Sequence, residues 1–276
     1  MLERLIDRHL KARNTWERGG ENVIHDDATA RAYGFRGGLV PGITVYAYLT
    51  RPLVDAFGAA WLARGTASVR FLKPVIEDDE VTLAGAVTAR EPTGVTATVT
   101  ATTPLGDECA TLTATVPAGS PTPVNPALYR AARLPAERPV ATRAVFEGLD
   151  VLGTSENLYD EARAVEYTAR VSDDHALYRG PAAWAHPGFL LEQCNRALSR
   201  NVQVAPWIHV GSVVRHLGGA RVGDTLATRG RVRSLFEKKG RNFVELDLLI
   251  VAGRRPVAHV LHTAIYRLPP PDPAPR

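Results

Sequence analysis

Thirteen residues in the first half of this chain align without a gap to thirteen in the second. Val69-Arg70-Phe71-Leu72-Lys73-Pro74-Val75-Ile76-Glu77-Asp78-Asp79-Glu80-Val81 matches Val214-Arg215-His216-Leu217-Gly218-Gly219-Ala220-Arg221-Val222-Gly223-Asp224-Thr225-Leu226. Val-Arg-x-Leu and an Asp in the turn coincide. A Pro-Gly pair precedes each match at nearly equal distance: Pro41 lies 28 residues before Val69, and Pro187 lies 27 before Val214. Three features at nearly equal spacing point to a duplicated unit, so one architecture is expected in both halves.

Each unit reads as a long helix followed by strands. Ile43, Tyr46, Leu49, Leu53, Val54, Phe57 and Trp61 recur at steps of three and four, the period of a buried or amphipathic helix. Pro52 within it is expected to kink or interrupt it. Phe189, Leu190, Leu191, Cys194, Ala197, Leu198 and Val202 repeat the pattern. Val- and Thr-rich runs with Gly, Pro and Asp between them predict strands at 66–74, 80–91, 94–104 and 107–117. Their counterparts fall at 210–219, 225–236, 241–252 and 255–268. Short Gly-bearing connections, Glu91-Pro92-Thr93-Gly94 and Glu237-Lys238-Lys239-Gly240, predict antiparallel hairpins. The fold class is therefore α+β, duplicated. Expected boundaries are a first half at 1–117, a Pro-rich linker at 118–142, a second half at 143–268 and a Pro-rich tail at 269–276.

The length, 276 residues, suits two such units. No apolar run is long enough to span a membrane, and the charged N-terminus lacks a signal-peptide core. Cys109 and Cys194 are the two cysteines, which points to free thiols and a cytoplasmic setting. Residues 1–138 carry 15 basic and 15 acidic side chains; residues 139–276 carry 18 and 14. This excess is modest and no nucleic-acid motif accompanies it, so nucleic acid is not an expected partner. It suits a small anionic ligand such as coenzyme A. His259 and His262, three apart on a predicted strand, should face opposite sides and cannot share a metal. No P-loop and no Gly-x-Ser-x-Gly elbow is present.

The stretch Gly20-Glu21-Asn22-Val23-Ile24-His25, then Pro41-Gly42, then Phe71-Leu72-Lys73-Pro74-Val75 resembles the MaoC-like (R)-specific enoyl-CoA hydratases. These are hot-dog-fold proteins that act on acyl thioesters. The family loop reads Asp-x-Asn-Pro-(Ile/Leu)-His. Here Asn22 and His25 match, while Gly20 stands at the Asp position and Val23 at the Pro position. The resemblance implies a tandem hot-dog fold, each half a long helix wrapped by a curved antiparallel sheet. It implies reversible hydration of a 2-enoyl thioester, with coenzyme A as the substrate's carrier and no resident cofactor.

By the same resemblance, His25 moves the proton and Gly42 gives its backbone N–H to the thioester carbonyl. A histidine suits the first task because it exchanges protons near neutrality. A helix N-terminus suits the second because its free N–H groups and partial positive charge stabilise a developing oxyanion. Asn22 either holds the loop or binds substrate. Asp26 and Asp27, with Glu21, are candidates to replace the missing carboxylate. Arg70, Lys73 and Arg215 are the candidate contacts for the carrier's phosphates. Two rival readings remain open. One is thioester hydrolysis, with Asp26 or Asp27 activating water. The other is an acyl-binding or assembling subunit without catalysis. The oligomeric state is open, a homodimer being one arrangement. In the second half, Ser172-Asp173-Asp174-His175 reads as an ordinary helix cap or as a relic of the His25 loop. Lys238-Lys239-Gly240-Arg241 reads as a solvated hairpin tip.

Overall fold

The strand order is the same in each half when read outward from the middle of one continuous sheet. In the computed structural model, which describes residues 3–16 and 19–268, two short strands come first, β1 (Glu3–Arg4) and β2 (Arg8–Lys11). Next are the helices α1 (Asp27–Ala32) and α2 (Gly42–Arg64). Four strands follow: β3 (Thr66–Phe71), β4 (Glu80–Glu91), β5 (Gly94–Thr102) and β6 (Glu108–Pro117). The second half has α3 (Arg143–Glu147), β7 (Leu152–Tyr159), α4 (Glu161–Arg170) and α5 (Pro187–Ser199). It ends in β8 (Ile208–His216), β9 (Asp224–Lys238), β10 (Arg241–Ala252) and β11 (Arg255–Arg267). The sheet runs β1-β4-β5-β6-β3-β8-β11-β10-β9-β7, with β2 also pairing β4. Each half thus goes outward as its first, fourth, third and second strand, and the halves join where β3 pairs antiparallel with β8. The expected Pro-rich tail at 269–276 lies outside the described residues.

Alternation makes the first half's part of the sheet one-sided. Val81, Leu83 and Val87 of β4, Ala97, Val99 and Ala101 of β5, and Ala110, Leu112 and Ala114 of β6 are buried, while their neighbours, Cys109 excepted, are less so. Against that face lies α2, buried nearly all round from Ile43 to Val54, as befits the central helix of a wrapped sheet. Leu49 and Leu53 are fully buried, each stabilising the fold by about 2 kcal/mol through its apolar area. The helix is not broken at Pro52, which stays within it. The non-helical residue is Gly58, at φ 55° and ψ −142°, a conformation open to glycine.

The Pro-rich stretch at 118–142 is anchored to the sheet. Tyr129, within 118–142, is buried, and its hydroxyl donates to Asp247 at 2.7 Å. Asp247 also accepts from His259 Nε2 at 2.8 Å and Arg231 at 3.0 Å. His262, three residues further along β11, is fully buried against Ser212, so the two histidines do occupy opposite faces. Cys109 and Cys194 are free and buried. Among the described residues no helix is long and apolar enough to cross a membrane.

Candidate active site

A cavity of about 170 Å³ opens at the start of α2, between the two halves. The first half contributes Asn22, His25, Gly42, Phe71 and Lys73; the second contributes Asn195, Trp207, His209 and Arg241. A second cavity of about 310 Å³ adjoins it and shares His25, Asn22, Pro41, Asn195 and Trp207. Gly20 and Glu192 lie on that second cavity's wall.

His25 ends a short 3₁₀ turn, Val23–His25, ahead of α1. Its Nδ1 is 2.7 Å from the Leu39 carbonyl, which can only accept, so Nδ1 carries the proton. Its Nε2 then holds a lone pair and accepts from Asn22 Nδ2 at 3.1 Å. Burial pushes the His25 pKa down to about 4, against the opposing pull of the Leu39 bond. A carboxylate paired with the ring would move it the other way. The imidazole is therefore neutral at physiological pH and offers one basic nitrogen.

The candidate carboxylates have other duties. Asp26 caps α1, accepting from Thr29 N–H at 3.0 Å and from the Thr29 hydroxyl at 3.2 Å. Asp27 accepts from Gly38 N–H at 2.7 Å and pairs with Arg31 at 3.6 Å. Glu21 makes two hydrogen bonds with Arg138, at 2.7 Å each, which hold its pKa down. Adjacency along the chain makes these residues candidates; capping α1, closing the 27–38 loop and pairing with Arg138 orient Asp26, Asp27 and Glu21 respectively.

Asn22 is a structural clamp as well as a partner of His25. Its Nδ2 donates to the Trp207 carbonyl at 3.0 Å, and its Oδ1 accepts from Trp207 N–H at 3.1 Å.

The basic candidates divide. Lys73 lines the cavity and is ion-paired with Asp107. Arg70 is exposed on β3 between Val69 and Phe71, which face inward, so it points to the outer surface of the sheet. Arg215 reaches the linker, donating to the Thr122 carbonyl at 2.7 Å. Neither Arg70 nor Arg215 lines the cavity. Arg241, read as part of a solvated tip, does line it.

The two helix starts differ. At α5, His186 caps its own helix, its Nδ1 accepting from Gly188 N–H at 3.0 Å. Tyr167 packs so close to Gly188 that a β-carbon there would collide with its hydroxyl. Asp173 accepts from His186 Nε2 at 3.1 Å and from Arg51 at 2.8 Å. His175 caps the next 3₁₀ turn through Leu177 N–H. The second helix start is thus filled. At α2 no side chain caps the helix, and Gly42 faces the cavity.

This architecture has counterparts among solved structures. A protein described as a MaoC domain dehydratase from Chloroflexus aurantiacus matches over 98% of this chain and 95% of its own, with a TM-score of 0.68 at 12% identity. A conserved hypothetical protein from Mycobacterium tuberculosis with a double hotdog fold matches over 95% and 96%, with a TM-score of 0.62 at 14% identity. A protein described as a thioesterase II from Thermobifida fusca matches over 97% and 96%, at 0.52 and 14%. The chain has the double hot-dog fold. No family model matches it, and no curated protein does. At these identities the double hot-dog likeness speaks for the fold alone.

Proposed function

We propose that this double hot-dog protein binds an acyl thioester in the cavity at Gly42 and interconverts 2-enoyl and 3-hydroxyacyl thioesters there. The observation that carries the reading is the uncapped start of α2, open to a cavity beside the neutral His25, while the start of α5 is capped and walled off. The Gly42 N–H and the positive end of α2 receive the thioester carbonyl oxygen. Lys73 and Arg241, on the cavity wall, suit an anionic carrier.

In the hydration direction, His25 Nε2 takes a proton from water and the water oxygen bonds to the third carbon. The π pair moves toward the carbonyl, whose oxygen gathers charge against Gly42 N–H. The proton then passes from the imidazolium to the second carbon, and the carbonyl re-forms. Asn22 Nδ2 holds the Nε2 lone pair at rest, so the water must displace that contact. Working without the family's carboxylate at Gly20 should slow the step by a factor of about 10² to 10⁴. Hydrolysis is less well supported, because Asp26 and Asp27 are engaged in capping and loop closure.

The test is loss of conjugated-enoyl absorbance when a 2-enoyl-CoA is mixed with wild-type protein or His25→Ala. Turnover by wild type and none by the variant, with circular dichroism showing both folded at the assay temperature, is the expected result. Equal rates in both, or hydrolysis of the thioester without hydration, would overturn the reading.

A further inference from the structure

We propose that His209 sets the specificity of this site, its Nδ1 accepting a hydrogen bond from the hydroxyl of a bound 3-hydroxyacyl thioester. The inference rests on the acyl-thioester reading above.

His209 is 6% exposed and stands on β8, the strand that joins the halves. Its Nδ1 lies 3.1 Å from the point a β-carbon on Gly42 would occupy. Phe71 comes equally close to that point, and the Phe71 and His209 rings meet edge-on at 4.9 Å. A glycine at 42 is what lets the imidazole approach the helix start. The Nδ1 atom is buried and has no hydrogen-bond partner among the described residues. Leaving such an atom unpaired is unfavourable, and a ligand donor removes that penalty.

The protonation of the ring follows from its other side. Nε2 lies 3.2 Å from the Gly211 carbonyl and 2.9 Å from Ser212 Oγ. A carbonyl only accepts, so Nε2 carries the proton. Burial, then the neighbouring His262, push the His209 pKa well down, so the ring is neutral. Nδ1 is therefore a lone pair. Ser212, accepting from Nε2, donates its own O–H to His262 Nδ1 at 3.0 Å. The His209 and His262 rings stack at 4.2 Å, which fixes the plane of the first.

The start of α2 thus sets a donor, Gly42 N–H, beside an acceptor, His209 Nδ1. A thioester carbonyl oxygen is an acceptor and can use only the first. The second requires a hydroxyl or a water. A carbonyl with a hydroxyl on the third carbon supplies both from one ligand, whereas a saturated acyl thioester leaves Nδ1 unpaired. Ser212 and His262 are positioning residues that act through the His209 tautomer.

The experiment is equilibrium binding of a 3-hydroxyacyl-CoA and the saturated acyl-CoA of equal chain length, followed by tryptophan fluorescence, since Trp207 lines the cavity. Wild type should prefer the hydroxylated ester by about three- to tenfold, the worth of one hydrogen bond. His209→Phe keeps the aromatic packing and should bind both esters alike. Ser212→Ala, a milder change that guards against misfolding of the first variant, should reduce the preference without abolishing saturated acyl-CoA binding. A purely structural His209 would weaken both ligands equally, and that outcome overturns the assignment. So does a preference that survives in His209→Phe. Equal binding by wild type sinks this inference and leaves the acyl-thioester reading standing; no binding of either ester sinks both.

Discussion

Asn22 and the backbone of Trp207 exchange two hydrogen bonds, at 3.0 and 3.1 Å, that tie the His25 loop to the entry of β8. The side chain serves a backbone of the other half as a neighbouring strand would, and the same Nδ2 touches His25. Asn22→Ala should therefore do two things. It leaves Trp207 N–H and carbonyl without these partners, at a cost of about 1–3 kcal/mol in urea unfolding. It also frees the loop that holds His25, so turnover should fall further than stability does. A variant with unchanged stability would show that the clamp is not needed.

The acid limb of activity should fall unusually low. An ordinary histidine titrates near 6.5, but burial lowers His25 to about 4. A reaction needing the neutral ring should keep its kcat/KM down to about pH 5 and lose it as pH passes through about 4. The same shift affects stability. Between about 4 and 6.5 the unfolded chain binds a proton at His25 that the folded one refuses. Stability from this group is thus full above about 6.5 and declines as pH falls toward 4. A pH–rate profile breaking near 6.5 would contradict the buried neutral imidazole.

Tyr129, Arg231 and His259 converge on Asp247 and bind the linker to the sheet. Burial alone would raise the Asp247 pKa, but the hydrogen bonds from His259, Tyr129 and Arg231 take it down to about 2. From an unfolded value of roughly 3.9, this contributes about 2 kcal/mol, present above pH 4 and lost as pH falls toward 2. Urea unfolding across that range should show the decline in wild type and a flatter curve in Asp247→Asn. Tyr129→Phe should also quicken proteolysis within 118–142.

The sequence made the strands and the two long helices legible, because alternation and the three-four period are local. His25 and Gly42 were candidates through the family resemblance, and both line the cavity at the start of α2. The sequence did not reveal His209, and the reason is geometric. His209 and Ser212 are three apart and should face opposite sides of a strand. A register shift, with Thr263 opposite Gly211 and Ala264 opposite His209, turns both inward. Trp207, Asn195 and Arg241 were missed because they reach the cavity from the other half, which no local pattern encodes. Arg70 could have been excluded, since it sits between the inward-facing Val69 and Phe71. Asp26 and Asp27 could not, because proximity in sequence says nothing of which N–H groups a carboxylate will cap.

The filled start of α5 should matter for folding and not for chemistry. Asp173 is 7% exposed and accepts from His186 and Arg51. Burial works against its charge, yet the His186 hydrogen bond leads the interactions that hold its pKa at about 2. Asp173→Ala leaves the buried His186 Nε2–H without its acceptor, while Arg51 keeps Asp55 and Asp174, so unfolding should be easier by about 1–3 kcal/mol. Among molecules that remain folded, KM for an enoyl-CoA should not change. A raised KM with intact stability would mean that the second half holds a working site.

Gly20→Asp is the most direct probe of the chemistry. Gly20 lies on the cavity that His25 and Asn22 also line, and the sequence resemblance sets it against the position where the resembled hydratases carry their carboxylate. A carboxylate placed there beside the ring would favour the imidazolium and raise the His25 pKa above its present value of about 4. The base would grow stronger, and a water could be held between the two groups. If Gly20 limits the rate, enoyl-CoA hydration should rise about tenfold, equivalent to roughly 1.4 kcal/mol of barrier. The acid limb of the pH profile should move upward at the same time. A faster variant whose acid limb stays put would mean that the new Asp works without His25. An unchanged or slower variant, set against an already brisk wild type, would show that proton transfer here never needed a carboxylate at position 20.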